Sequence, residues 1–390
     1  MTPPVTIRRL AFLIPLCLVL AAPFPVFAAT CGQLAIEHEL EIHPPGEEPT
    51  PHLQLADALD ILNVPSLSLA VIENDGISLA CAYGTGISPR MLFQAASLSK
   101  LVTAVAALRL VQQGHLDLDG DIDKWLAAWQ LPKSDLAAGH LVTLRGLLSM
   151  TGGIGVPGFT GYEPGDPVPN LMQILDGLPP AHSPAVRIEF QPGSRYAYSG
   201  GGYEIVQALI QDSTHRSFGE AMQDLVLKPA GMADSLFAQT LPPALFSRAA
   251  MGHHGDGDEL PGGWRLTPEL AADGMWSTPS DLARLLIDLA RAYRGENGRL
   301  LEPATARQMI APQNGGLYGL GGAVSGSGRS LVLMKRGQNV GYQGYMLIFP
   351  ESGQGMVIMS GSDNGTTLAE ALIRRAAAVY HWPTLGPLAD

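Results

Sequence analysis

An α+β fold is predicted: an antiparallel sheet assembled from both chain ends and flanked by helices, with a mainly helical domain inserted between. Three observations predict it. Strand-type alternation clusters before residue 84 and after residue 330, helical periods and caps crowd the middle, and 46% hydrophobic against 15% charged residues in 390 supplies a large core. The expected division is a signal peptide at 1–28, an N-terminal arm at 29–52, a sheet domain from 53–97 with 296–390, and a helical domain at 98–295.

The elements follow in chain order. Arg8 and Arg9 precede the apolar run Leu10 to Ala22, broken by Pro15, and Val26-Phe27-Ala28 offers a cleavage site, the pattern of a secretory signal peptide. The run is short for a bilayer span, so no stable membrane span is expected after cleavage and the mature protein is expected to be periplasmic or secreted. Cleavage removes Cys17 and leaves Cys31 and Cys81, which in an oxidising compartment either form a disulfide or remain two thiols. Residues 32–52 lack a clear period and read as an arm. A helix follows at about Leu53 to Leu62, then a hairpin in which Leu67, Leu69 and Val71 alternate, Asn74-Asp75-Gly76 turns, and Ile77, Leu79, Cys81 and Tyr83 alternate again. Leu98 to Gln113 is a helix, apolar nearly all round and closed by Gly114. Thr278-Pro279-Ser280-Asp281 opens another with a cap and Pro at the first helical position, running to about Tyr293 before Gly295. Leu331 to Lys335, Tyr345 to Phe349 and Met356 to Ser360 read as strands, and Thr367 to Tyr380 as a closing helix.

Composition narrows the function. A net charge of −12, from 24 Lys plus Arg against 36 Asp plus Glu, disfavours a nucleic-acid partner. Forty-five Gly and 31 Pro without a period, and no internal repeat, exclude fibrous and solenoid classes.

Three short segments carry chemistry. In Ser97-Leu98-Ser99-Lys100 the hydroxyl and amine at i and i+3 share one face of a helix start, whose free N–H groups point at whatever Ser97 attacks. Leu98, Leu101, Val102, Ala104, Val105 and Leu108 surround Lys100, so burial is expected to lower its pKa and make it a base. Taken alone, such a tetrapeptide is more often a solvated helix start. Tyr198-Ser199-Gly200 precedes the helical pattern of Tyr203 to Ile210 and can present a phenol to a cleft; the bland reading is a packed tyrosine. Lys335-Arg336-Gly337 is read at a strand end, where the ammonium binds a carboxylate and Gly lets substrate approach the backbone. A basic strand terminus is the alternative. The chain has only five lysines, and two of them fall in this set.

With these segments in this order, the sequence resembles the serine β-lactamase and penicillin-binding-protein superfamily, which carries Ser-x-x-Lys and Lys-Thr-Gly signatures. The resemblance spans roughly residues 53–382 and is closest to the branch of class C β-lactamases, D,D-peptidases and family VIII carboxylesterases, whose second motif is Tyr-x-Asn. Val142 to Ser149, Leu227 to Met232, and Gly341-Tyr342 leading to Phe349-Pro350 are similar too. The resemblance implies a β-lactamase/transpeptidase-like fold and an acyl-enzyme on Ser97. Lys100 and Tyr198 would be the general-base pair, Lys335 the electrostatic partner of a substrate carboxylate, and the Ser97 and Gln338 N–H groups the oxyanion hole. Gly337 and Gly200 would line the substrate site. No metal or cofactor is implied.

Two departures bear on substrate. Gly200 stands where the family has Asn, and Arg336 where it has a hydroxyl residue. Losing one hydrogen bond to a substrate amide costs roughly 1–3 kcal/mol. Esters or peptide and amide substrates, D-amino-acid peptides included, are therefore expected ahead of β-lactams, with a class C-like β-lactamase as the alternative. Restoring Asn at 200 is expected to favour β-lactam acylation. A non-turnover penicillin-binding sensor or scaffold is the rival of another class. An α/β-hydrolase is disfavoured because no serine has the Gly-x-Ser-x-Gly setting. His253-His254 with Asp256, Asp258 and Glu259 reads as a Gly-rich hairpin loop, not a metal site.

Overall fold

The computed structural model describes residue 1 and residues 31–386, apart from 44, 45, 47 and 297. Most of the predicted signal peptide, residues 2–28, lies outside the described residues, and no described helix is long and apolar enough to cross a membrane. Eleven described strands are β1 (Leu40–Ile42), β2 (Thr50–Leu53), β3 (Leu67–Glu73), β4 (Gly76–Tyr83), β5 (Phe93–Gln94), β6 (Leu236–Phe237), β7 (Met275–Ser277), β8 (Ala323–Ser325), β9 (Val332–Asn339), β10 (Tyr342–Phe349) and β11 (Gln354–Ser360). The helices that matter here are α1 (Leu55–Ile61), α2 (Leu98–Gln112), α3 (Gly200–Thr214), α4 (Leu270–Asp273), α5 (Pro279–Arg294) and α6 (Gly365–Val379).

The main sheet runs β4-β3-β11-β10-β9-β8, antiparallel throughout, so both chain ends meet in it as the alternation predicts. Its hairpin turn places Asn74 and Asp75 at φ 50° and 58°, the left-handed pair that a tight two-residue turn requires. Both faces of the sheet are covered. Tyr345, Leu347 and Phe349 of β10 pack with Leu368, Leu372 and Ile373 of α6. Met346 and Ile348 point the other way, into a core with Leu282, Leu285 and Leu289 of α5. This two-sided burial explains why residues 345–349 of β10 read as an unbroken apolar run. Each such side chain contributes about 1.5–3 kcal/mol on burial.

Caps fix the helices where expected. Thr278 accepts from the Asp281 N–H to open α5, and Gly295 closes it at φ 86°. Helix α2 is buried along almost its whole length, in keeping with its all-round apolar sequence.

Three expectations need correction. The segment read as an arm holds a two-stranded sheet, β1 with β2, whose Leu40 and Ile42 alternate into the α6 core. Cys31, bonded to Cys81, pins it to β4. The middle of the chain also contains a small sheet, β5-β7-β6, whose strands of two or three residues are too short to leave a period. Finally, β9 continues past Lys335 to Asn339, because Gly337 pairs with Gly344 of β10 and the turn comes only at Gly341. Lys335-Arg336-Gly337 is therefore inside a strand, not at its end.

Candidate active site

The start of α2 rests on that glycine pair. A Cβ at Gly337 would lie 2.5 Å from the Ala95 carbonyl oxygen, and one at Gly344 would lie 2.9 Å from a Leu98 methyl. Bare backbone at both positions lets the helix N-terminus sit directly against β9 and β10. Between β5 and α2 the chain turns at Ala96, held at φ 48° in the left-handed region, which costs a non-glycine residue of order 1 kcal/mol. Ser97 comes next, at the N-cap. Its hydroxyl does not cap the helix, as a serine there ordinarily does. It is turned instead toward Lys100 and a residue the sequence reading missed, Asp273.

Around Ser97 the contacts are close. Lys100 Nζ donates to Ser97 Oγ at 2.8 Å, to the Ala272 carbonyl at 3.1 Å and to Asp273 Oδ1 at 3.2 Å. Ser97 Oγ donates to Asp273 Oδ1 at 2.7 Å. Lys100 is completely buried, and Asp273 nearly so. Burial works against the Lys100 ammonium, but the Asp273 carboxylate and the Tyr198 oxygen outweigh it and hold its pKa above the ordinary lysine value. The lowered pKa expected from its apolar neighbours is thus reversed by an ion pair from a distant segment.

Tyr198 is set by the cap of α3: Ser199 Oγ accepts from the Gly202 N–H at 2.8 Å and donates to the Gly155 carbonyl at 2.7 Å. Its half-buried ring lies between the two predicted lysines, with Lys100 Nζ 5.3 Å and Lys335 Nζ 5.1 Å from its centroid. Lys335, fully buried, also stands 5.8 Å from the ring of Tyr318. These groups back a cavity of about 260 Å³ lined by Ser97, Tyr198, Asp273, Arg336, Gly337 and Gln338, with Pro157, Gly158 and Phe159 closing the far side.

Among the predicted site residues, the buried Lys100 and Lys335 stand behind the cavity lining, and Gly200 does not line it either. A Cβ there would lie 2.9 Å from the Phe159 ring, so Phe159 fills the room a side chain at 200 would take. Phe159 and Asp273 were both missed. The only sequence trace of the latter is two acids, Glu269 and Asp273, four apart around Leu270-Ala271-Ala272.

Behind the cavity, α3 holds α4 in place. Gln207 and Glu204 accept from the N–H groups of Ala271 and Ala272 at 2.9 and 3.1 Å, and Thr103 donates to the Ala271 carbonyl at 3.0 Å. Burial pushes the Glu204 carboxyl well above its usual range and Glu269 up to about 8. Glu269 is therefore mainly uncharged at neutral pH, and Asp273 is the carboxylate paired with Lys100. His253 and His254 lie elsewhere, against Gly361 and Asp363.

A seryl hydroxyl and a phenol lining a small cavity, with two buried lysines behind them, form an arrangement that can support nucleophilic attack on an acyl group. Residues 54–381 match the Beta-lactamase family, and the chain belongs to that family of hydrolases. It is 27% identical over 227 residues to Protein flp of Staphylococcus aureus (strain N315), covering 56% of this chain and 42% of that protein. It is 30% identical over 179 residues to Esterase EstB of Burkholderia gladioli, covering 44% and 43%. The chain thus aligns with less than half the length of these relatives. Among solved structures, the D-amino acid amidase from Ochrobactrum anthropi SV3 complexed with D-phenylalanine superposes with a TM-score of 0.68 at 22% identity, over 83% of this chain and 96% of that one. A penicillin-binding protein homologue from Pyrococcus abyssi gives 0.67 at 22%, over 84% and 76%. At these identities both likenesses show the shared fold.

Proposed function

We propose that the protein is a secreted or periplasmic serine hydrolase that forms an acyl-enzyme on Ser97 and hydrolyses small esters or amides, with esters preferred. The observation that carries this reading is the hydroxyl of Ser97, held by Lys100 at 2.8 Å at the mouth of a cavity of about 260 Å³. In this reading Ser97 Oγ attacks the carbonyl carbon, and the Ser97 and Gln338 N–H groups receive the developing oxyanion. Tyr198, between two ammonium groups, steers a proton to the leaving atom. Lys335 and Arg336 supply positive charge for a substrate carboxylate.

Phe159 favours esters over β-lactams. It occupies the space above Gly200, so the side-chain amide of the resembled Tyr-x-Asn motif is replaced by an aromatic wall. An ester carbonyl loses little by this, whereas an amide N–H forfeits a partner. Esterase and D-amino acid amidase are the activities named for two similar proteins. The test is steady-state turnover of p-nitrophenyl butyrate, nitrocefin, D-phenylalaninamide and a D-Ala-D-Ala peptide by the mature chain. Turnover of the ester at the highest kcat/KM supports the reading. Nitrocefin leading the series supports the β-lactamase alternative, and one-equivalent acylation without turnover supports a sensor.

A further inference from the structure

The hydrogen bonds around Ser97 raise a question of proton traffic. Lys100 Nζ donates to three oxygens, Ser97 Oγ, the Ala272 carbonyl and Asp273 Oδ1, and has the Tyr198 oxygen as a further hydrogen-bond partner. An ammonium has three protons and satisfies all three; a neutral amine has two and leaves one of the three without a donor. In this arrangement Lys100 has no lone pair with which to take a proton. The Ser97 proton is directed elsewhere, along the 2.7 Å bond to Asp273 Oδ1.

We propose that Asp273 is a catalytic residue, the acceptor of the Ser97 proton, with Lys100 acting as a fixed cation between them. The inference rests on Ser97 being the nucleophile. As Ser97 Oγ bonds to the carbonyl carbon, the carbonyl electron pair moves onto its oxygen and the hydroxyl proton passes to Asp273 Oδ1. When the carbonyl re-forms, the bond to the leaving group breaks and the leaving atom takes that proton, steered by Tyr198 on the same cavity, returning Asp273 to carboxylate. Water then attacks the acyl carbon and gives a proton to Asp273, and Ser97 Oγ leaves and takes it back. No other reactant is needed.

The surroundings suit the role. Asp273 is faced by Ser97 at the N-cap of α2, by Lys100 of α2, by Glu204 of α3 and by Glu269 across α4, with Tyr198 and Arg336 lining the same cavity and Lys335 behind the Tyr198 ring. Of its acidic neighbours, Glu269, raised to about 8, is largely neutral at pH 7 and burial pushes Glu204 toward its neutral form, which lessens like charge beside the acceptor. Its position is fixed as well: Glu204 and Gln207 hold the turn that carries it, and Asn339 Nδ2 lies 3.5 Å from its backbone carbonyl.

The two possible bases give opposite signs on mutation. If Lys100 is the base, Asp273 obstructs it by holding it charged, and Asp273→Asn raises kcat/KM for p-nitrophenyl butyrate at pH 7. If Asp273 is the acceptor, the same variant loses a hundredfold or more in kcat with little change in KM. A loss below fivefold, or any gain, overturns the proposal. Formate added to Asp273→Ala should restore at least a tenfold part of the lost rate, which a structural defect would not permit; no rescue counts against it.

Should these variants not fold, the wild-type pH profile decides. The expected kcat/KM reaches its plateau by pH 7, in wild type and in Glu269→Gln alike. A continued rise from pH 8 to 10, as an amine or phenol loses its proton, overturns the proposal. Labelling with a fluorophosphonate separates the two layers of inference. Absence of label on wild-type Ser97 removes the nucleophile and Asp273 with it, whereas label on Ser97 with an unaffected Asp273→Asn removes Asp273 alone.

Discussion

The two sides of the cleft are built from different kinds of sequence. One side, the start of α2 with β9, places its groups by local periodicity: Ser97 and Lys100 are one helical turn apart, and Lys335 and Gly337 alternate along a strand. The other side, Phe159 with the turn ending at Asp273, has no local rule. Asp273 meets Ser97 across 176 residues of chain. Yet this second side reverses the pKa expected for Lys100 and fills the space expected to be open at Gly200. Motifs thus report which reactive groups are present, and the charge state and shape of the site come from what packs against them.

The largest expected effect tests the motif side. Ser97→Ala should lower ester turnover by on the order of a thousandfold or more, and Lys100→Ala nearly as much. Steady-state release of p-nitrophenol checks both. A serine-to-alanine variant near wild-type rate would mean the cleft's chemistry lies elsewhere.

A smaller effect tests the other side through pH. Glu269 is buried in the fold with a pKa of about 8 against an ordinary value of 4.5, so the native state holds a proton the unfolded chain gives up. The stability linked to that proton is fully present below pH 4.5, declines as pH rises through the interval and is gone above about 8. The loss is on the order of a few kcal/mol, and Glu269→Gln should flatten it. Urea unfolding at pH 5, 7 and 8.5 reads this directly; parallel slopes in the two proteins would sink the assignment.

The smallest effect joins the two sides. Gly200→Asn alone overpacks against Phe159 and should cost roughly 1–3 kcal/mol, seen as a lower thermal midpoint. Phe159→Ala paired with Gly200→Asn should reopen the space and raise nitrocefin acylation relative to ester turnover severalfold. An unchanged ratio in the pair would show that Phe159 does not set the preference.

Much of the fold was legible. The hairpin at Asn74-Asp75, the cap at Thr278, the all-round apolar α2 and the strands near the C-terminus each obey a local rule of turn chemistry or periodicity. What escaped were elements too short to repeat. β5, β6 and β7 supply two or three residues each, and α4 supplies four, so neither a period of 2.0 nor one of 3.6 can register in them. The extent of β9 was misjudged for another reason. Arg336 and Gly337 look like a strand end by type, and only the facing Gly344 shows why the ladder continues. At the site, Ser97, Lys100, Tyr198 and Lys335 could be singled out because lysine is scarce and their order is informative. Asp273 could not, since one aspartate among many acids reveals nothing until its neighbours in space are known.

The paired glycines beneath Leu98 act as a gauge block for the whole site. With no side chain between the sheet and the incoming helix, the gap from Ser97 to the strand bearing Lys335 is set by contact of main chain on main chain. Such a spacing has almost no give in one direction. Even one methyl at 337 would act as a wedge, lifting Ser97 off the strand while every side chain of the candidate site stayed in the sequence.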